Sequence, residues 1–550
     1  MMPDGDGRRL IGGGSYSPGR PVGEQELFTL IVAITVVTIV GRTVAKRLDV
    51  PDAIVLVVLG VLASLIPQVP NIELSPNLVL LVFLPPLVYN AAFFSAPRET
   101  RENAVPITAL AIGATALTIV AVAWVTKLIL PDLPTAAVLA FAAAVAPTDA
   151  VAATSVLSRL GAPQRIVTIV EGESLINDAV ALTAFGLAVE AMAHPFTFGH
   201  GVVRLVEVVA GGIGYGLVLA LVIGWVRRYA RDPSVQIMIS VVTPFLAYFP
   251  AEQLHVSGVL ATVVTGVYLG TRTEGMLQPA SRVSGAIFWR TFVFLLESAL
   301  FVLLGLELRT VVDHLSGSYS VGWLAGAAAA EVAVILAVRM GWELIFSPLS
   351  RFLPGRHSAY VRNPWRQRIV IGWSGMRGAI SLAIALTIPA MDRGHRLTEQ
   401  PTLVFLAAVV VMATLIGNGL TLAPLIRAIG LAEGEKQRRR EASARMKVTE
   451  AGLARLDQLA ANGEVDQDTA SLYRQLFEMR LDRVRAILDD IDDETGDGGP
   501  PADTHAFRAE LVEAERVKLA ELYDRGKISD EIRRSISHSL DLQDRTRRYE

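Results

Sequence analysis

The sequence predicts an all-α polytopic membrane protein with a helical tail, and three observations carry that prediction. Apolar segments of roughly 18 to 25 residues recur from Glu24 to about Gly430, the length a helix needs to cross a bilayer. The chain is 52% hydrophobic and only 19% charged, with a mean hydropathy of +0.45. A soluble chain of 550 residues carries more charge than that. From about Glu433 the composition changes abruptly to charged, amphipathic helical patterns.

In chain order, residues 1–24 are rich in Gly, Ser and Pro and lack an apolar signal core, so they read as a disordered tail. Residues 25–430 hold the membrane part. Candidate spans fall at about 26–45, 52–66, 76–94, 104–130, 134–158, 163–192, 202–226, 234–250, 255–270, 286–308, 320–346, 367–390 and 400–426. That makes about 13 transmembrane helices. The connecting loops alternate in charge. One set holds Arg42, Lys46 and Arg47; Arg98 and Arg101; Arg159 and Arg165; Arg227, Arg228 and Arg231; Arg272 and Arg282; and the arginines of 351–368. The other set holds mainly Glu73, Lys127, Asp132, His194, Glu252, Arg309 and Asp313. The basic set is expected on the cytoplasmic side, which puts the N-terminus outside and the tail inside.

Residues 431–550 form that cytoplasmic tail. Lys436–Arg440 is a basic run suited to a membrane-face anchor. Two turns, Ala461–Asp466 and Asp524–Ser529, share a glycine, a β-branched residue and an N-cap type residue, and each precedes a helical pattern. The tail is expected to hold two related helical hairpins, in a structural, oligomerising or regulatory role. It contains no nucleotide loop, metal-ligand cluster or nucleic-acid motif, so neither a cofactor nor a nucleic-acid partner is expected. The chain has no cysteine, which excludes disulfides, Cys-ligated zinc and Fe–S clusters.

The chemistry lies inside the membrane part. Glu171-Gly-Glu-Ser-Leu-Ile-Asn-Asp178 places three carboxylates, a hydroxyl and an amide within a span, and Pro147-Thr148-Asp149 sits in the span before it. Ionisable groups at membrane depth are expensive and mark ion paths, proton relays or catalytic sites. Ser174 and Asp178 are four apart and share a helical face, while Glu173 and Asn177 share a neighbouring stripe. Pro147 cannot donate to the carbonyl of Ala143, which favours a helix break. Broken helices are tolerated in membranes where freed backbone groups line a cavity or hold an ion. The two segments offer the oxygens of Asp149, Asp178 and Ser174, the Thr148 hydroxyl or carbonyl and the Asn177 amide, an all-oxygen cation-binding set suited to a hard cation such as sodium. Asp149 has a second reading, as the cap of a helix break. Glu297 also lies at membrane depth, as a pathway residue or a partner of a broken helix. Glu331 and Arg339, two turns apart, are candidates to satisfy each other or a neighbour.

Six pieces together resemble the cation/proton antiporter-1 family of sodium/proton exchangers. They are Phe83–Pro86, Ala146–Asp149, Glu171–Asp178, His255–Ala261, Phe301–Gly305 and Gly375–Ala379, in family order across about residues 26 to 430. The resemblance implies thirteen helices in two inverted repeats, a core domain with crossed broken helices, a separate dimer domain, and a homodimer. It implies that Asp178 binds either cation or proton, with Asp149, Thr148 and Ser174 completing the site. Asn177 stands where electrogenic relatives carry a second aspartate, which implies electroneutral exchange of one sodium for one proton. Glu173 is expected to pair with Arg377 as a structural ion pair. Asn90 departs from the family, which often has an acidic residue there near the ion path.

A mechanism follows from the chemistry. Burial disfavours a charged carboxylate, so protons and sodium ions compete for the same oxygens. If only the neutralised site crosses, the two fluxes are coupled, by one rigid unit carrying the site past another. Two transported ions and the bilayer are then the partners. Other readings of the same residues are a potassium/proton antiporter, an intramembrane aspartyl protease using two aspartates, and a cation channel.

Overall fold

The computed structural model describes residues 24–48, 50–66, 79–95, 97–193, 198–230, 232–315, 319–346, 364–389, 391–392, 395–431, 434–492 and a few residues within 515–525. The tail before Glu24, the loop residues Glu73, His194, Arg231, Arg351, Arg356 and Arg362, and the second turn of the tail repeat at 524–529, except Arg525, lie outside them.

The described residues are almost entirely helical. Helices α1 (Glu24–Leu48) and α2 (Asp52–Ser64) are followed by a π-helical turn, Val79–Phe83, that runs into α3 (Leu84–Phe93). Then come α4 (Ala104–Ile129), α5 (Thr135–Val145), α6 (Ala150–Arg159), α7 (Gln164–Ala193) and α8 (Phe198–Tyr229). The next are α9 (Pro233–Gln253), α10 (Gly258–Met276), α11 (Pro279–Leu315) and α12 (Val321–Gly341). The series closes with α13 (Trp365–Trp373), α14 (Ala379–Leu386) and α15 (Gln400–Ile429). A two-residue ladder, Met391–Asp392 against His395–Arg396, sits in the turn before α15. Eight helical stretches among the described residues are long and apolar enough to cross a membrane.

Local chemistry sets the helix ends. The Asp232 carboxylate accepts from the amides of Ser234 and Val235 at 2.7 and 3.1 Å, and Ser257 and Ser320 cap α10 and α12 in the same way. Gly430, at φ 70°, ends α15 in the left-handed conformation that glycine adopts without steric cost. His255 sits exposed in the turn between α9 and α10.

Packing separates the helices into two sets. One contains α1, α2, α3, α8, α9, α10 and α11, with α2 against α11 and α10 against both α3 and α8. The other contains α4, α5, α6, α7, α12, α13, α14 and α15, with α5 against α7 and α4 against α12. The sets meet where α7 touches α3 and α10, and where α11 touches α14 and α15. Gly60 and Gly305 bring the backbones of α2 and α11 together, since a Cβ on either would strike the facing main chain. Small residues at such crossings are how membrane helices gain close packing. Arg227, grouped by sequence with the loop arginines, is buried instead in the last turn of α8, and its Nε donates to Gln236 Oε1 at 2.9 Å.

The chain divides into two compact units, Met1–Ala432 and Glu433–Glu550. In the second, α16 (Gly434–Ala461) and α17 (Gln467–Asp492) pack as a hairpin. Gly463 turns the chain at φ 72°, and Asp466 caps α17 by accepting from the Thr469 amide at 2.9 Å.

Candidate cation site

Two helical lines are interrupted, and their interruptions touch. The first is α5–α6, broken over 146–149, where the sequence places Pro147. The second is α13–α14, broken over 374–378. The Asp149 amide donates to the Met376 carbonyl at 2.7 Å, joining the breaks. A Cβ on Gly378 would collide with the Asp149 carboxylate, so this contact needs glycine.

Each break exposes backbone groups that a helix normally satisfies internally. At the start of α6, the Asp149 side chain accepts from the Val151 amide at 2.8 Å and Ser174 Oγ accepts from the Ala150 amide at 3.3 Å. Asp149 is therefore a helix cap as well as a cavity carboxylate. At the end of α5, Arg377 donates to the carbonyls of Val145 and Ala146 at 3.2 and 3.4 Å, and to Gly375 at 2.6 Å. A guanidinium at a helix C-terminus also complements the helix dipole. At the end of α13, Arg339 donates to the carbonyls of Gly372 and Ile371, and Asn418 to that of Trp373 at 3.1 Å.

This arrangement corrects the expected Glu173–Arg377 pair. Glu173 is gripped by Arg339: Nη2 donates to Oε2 at 2.7 Å and Nη1 to Oε1. Arg377 is occupied by backbone carbonyls, the demand created by the breaks themselves. Arg339 likewise does not meet Glu331. Glu331, fully buried, bonds to Thr126 Oγ1 at 2.8 Å. Arg339 and Asn418 are the site residues that sequence reasoning missed. Two buried arginines and one candidate carboxylate fit either pairing, and sequence spacing does not choose between them.

Behind the breaks runs a chain of hydrogen bonds. Asn177 Nδ2 donates to Thr148 Oγ1 at 2.7 Å, and Thr148 Oγ1 donates to Glu173 Oε1 at 3.4 Å. Ser174 Oγ donates to the Thr148 carbonyl at 2.8 Å. Asn177 is fully buried and does not line the cavity in front, so it sits one layer back, holding Thr148.

In front of the breaks lies a cavity of about 520 Å³. Asp178, Asp149, Thr148, Ser174, Asn90 and Glu297 all line it. The predicted stripes hold: Ser174 and Asp178 face the cavity, while Glu173 and Asn177 face the buried network. The cavity extends to Thr100 and Arg101, at one end of the bundle. Next to Asp178, Ala179 packs in an apolar cluster with Leu84, Val88, Tyr248 and Val259, against which Leu182 and Phe249 also pack, and Val88 lines the cavity as well. Asp178 thus lines a cavity that leads toward one end of the bundle, with apolar side chains of both helix sets packed beside it.

The sequence model of the family described as "Sodium/hydrogen exchanger, transmembrane" matches residues 31–428. An uncharacterized Na(+)/H(+) exchanger of Mycobacterium tuberculosis is 30% identical over 541 residues, covering 96% of this chain and 97% of the relative. The low-affinity Na(+)/H(+) antiporter NhaS1 of Synechocystis is 30% identical over 420 residues, 76% of each chain. The structure resembles that of the sodium proton antiporter MjNhaP1 of Methanocaldococcus jannaschii, with a TM-score of 0.57 and 18% identity over 74% of this chain and 98% of that one. The chain belongs to the sodium/hydrogen exchanger family. It is a multi-pass membrane transporter rather than an enzyme, and the intramembrane protease reading falls with that assignment.

Proposed function

We propose that the protein exchanges sodium for protons across the cell membrane, one for one, through competition of the two ions at Asp178. The observation that carries this reading is the convergence of Asp178, Asp149, Ser174 and Thr148 on one cavity, with an apolar cluster beside it. The oxygens suit sodium. A carboxylate with no fixed cation beside it must be neutralised by an ion or a proton before it moves through an apolar seal.

Loop charge assigns the end bearing Arg101, Arg159 and Arg228 to the cytoplasm. On that reading the cavity faces inward, the tail is cytoplasmic and the N-terminus is outside. Exchange then requires the set holding the crossed breaks to move against the other set, bringing the apolar cluster of Leu84, Tyr248 and Val259 to the inner side. The α1 face carries Val36, Ile39 and Val40 exposed, and we assign it to lipid or to a second copy in a homodimer.

Electroneutrality rests on Asn177, which leaves no second carboxylate at that position, and on Glu173 being neutralised by Arg339. The test is sodium-driven proton movement in proteoliposomes under clamped voltage. Flux that ignores voltage supports the one-for-one ratio; voltage-sensitive flux keeps the exchanger and removes the ratio. Potassium in place of sodium as the better driver would convert the assignment to potassium/proton exchange at the same residues. The role in pH regulation follows from either.

A further inference from the structure

A second cavity, of about 220 Å³, lies along a neighbouring face of α6. Three residues, Val151, Glu297 and Phe301, line both. The outer end of the second cavity is formed by Val50, Pro51 and Asp52 in the turn from α1 to α2, and by Arg159 at the end of α6. That is the same end of the bundle at which α6 and the Pro97–Glu102 helix finish, so both cavities point the same way.

Glu297 stands in the wall between them. Among the described residues it makes no hydrogen bond or ion pair, and it is half-buried at membrane depth. The charged groups around it are Asp149 across the first cavity, and Asp52 and Arg159 in the second. Arg42 lies further out over the Phe294 ring at 4.3 Å, and Ser155 and Ser298 add hydroxyls. A carboxylate held there without a partner is costly unless something visits it. Glu297 lines both cavities, and Asp149 is the carboxylate that it faces across the first.

We propose that the smaller cavity is a second entrance to the cation site, and that Glu297 is the carboxylate that receives a cation from it and passes it to Asp149 and Asp178. This rests on the exchange reading above. A single negative charge near the path raises the local cation concentration. Its loss therefore weakens apparent sodium affinity and leaves the turnover of the filled site.

The chain contains no cysteine, so single cysteines report accessibility cleanly. Thr154 lines the first cavity and Ser155 the second, on adjacent positions of α6. In proteoliposomes, Thr154→Cys and Ser155→Cys are both expected to react with a small cationic thiol reagent, more slowly in high sodium. A Ser155→Cys variant that stays inert while Thr154→Cys reacts overturns the second entrance. Glu297→Gln is expected to raise KM for sodium on the order of tenfold, as loss of one charge at several ångströms in a partly wet site implies, with kcat within about twofold. Glu297→Asp is expected to restore KM. An unchanged KM, or a fall in kcat alone that Asp does not rescue, overturns the role of Glu297. If wild-type protein shows no sodium–proton exchange, the functional reading itself fails; if it exchanges and only these variants behave otherwise, the entrance alone is wrong.

Discussion

Glu173 and Arg339, 166 residues apart in sequence, are joined by two hydrogen bonds between buried side chains, and the same guanidinium caps the end of α13. The pair ties the helix that carries Asp178 to one of the two broken helices. Arg377 in turn holds the end of α5 at the first break.

Removing one member of a buried ion pair strands the other charge, at a cost of about 3–5 kcal/mol. Arg339→Ala is therefore expected to lower the thermal midpoint of the purified protein strongly, and Glu173→Gln similarly. A double variant, Glu173→Gln with Arg339→Met, is expected to recover part of the loss. Coupling of Glu173 to Arg377 in a double-mutant cycle, stronger than its coupling to Arg339, would contradict the observed pairing.

Asn177→Asp tests the buried layer. An ionised aspartate cannot donate to Thr148 Oγ1 as the amide does, and it puts a second carboxylate beside Glu173. The expected outcome is a loss of about 1–3 kcal/mol of stability, the cost of an unsatisfied buried group, together with slower exchange. Full stability with unchanged rate would show that the 2.7 Å bond is not needed to hold Thr148.

Gly378→Ala places a methyl group against the Asp149 carboxylate. Overpacking of this kind costs about 1–3 kcal/mol. Because the strain falls at the contact between the breaks, sodium affinity is expected to fall with it. Gly417→Ala, at a helical position with open space around it, is the control and is expected to leave affinity unchanged. Equal effects of the two would remove the special role of the contact.

The tail gives a pH prediction. The backbone amide of Thr469 donates to Asp466 and holds its carboxyl below the usual carboxylate range. A lowered folded-state pKa stabilises above the unfolded value of about 3.9 and is lost as pH falls through the folded value. The first turn of α17 is thus expected to keep its amide protection at neutral pH and lose it only in acid. Asp466→Ala is expected to lose it at all pH values. Protection of the Thr469 amide unaltered by the substitution would rule out the cap.

Much of this architecture was legible in the chain because the bilayer permits few solutions. Long apolar runs must become helices, and helices occupy each of the apolar stretches marked out by sequence. Pro147 announced the first break, and the four-residue spacing of Ser174 and Asp178 put both on the cavity. Other features were not legible, for physical reasons. The second break has no proline within 374–378, so nothing local announced it. The choice between Arg339 and Arg377 depends on which carbonyls the crossing leaves bare, and that is set by tertiary contact. Asn177 was grouped with the ion ligands, yet its stripe faces inward, because a helix position shares its face with Glu173 and not with Asp178.

The most direct test of the central claim compares wild type with Asp178→Asn for sodium-driven proton movement in proteoliposomes. The asparagine has similar size and cannot bind or release the proton. Competition at Asp178 predicts robust exchange in wild type, with sodium KM falling as pH rises, and no exchange in the variant at any pH. Sodium-coupled proton flux that persists in Asp178→Asn would contradict the account and move the ion site elsewhere.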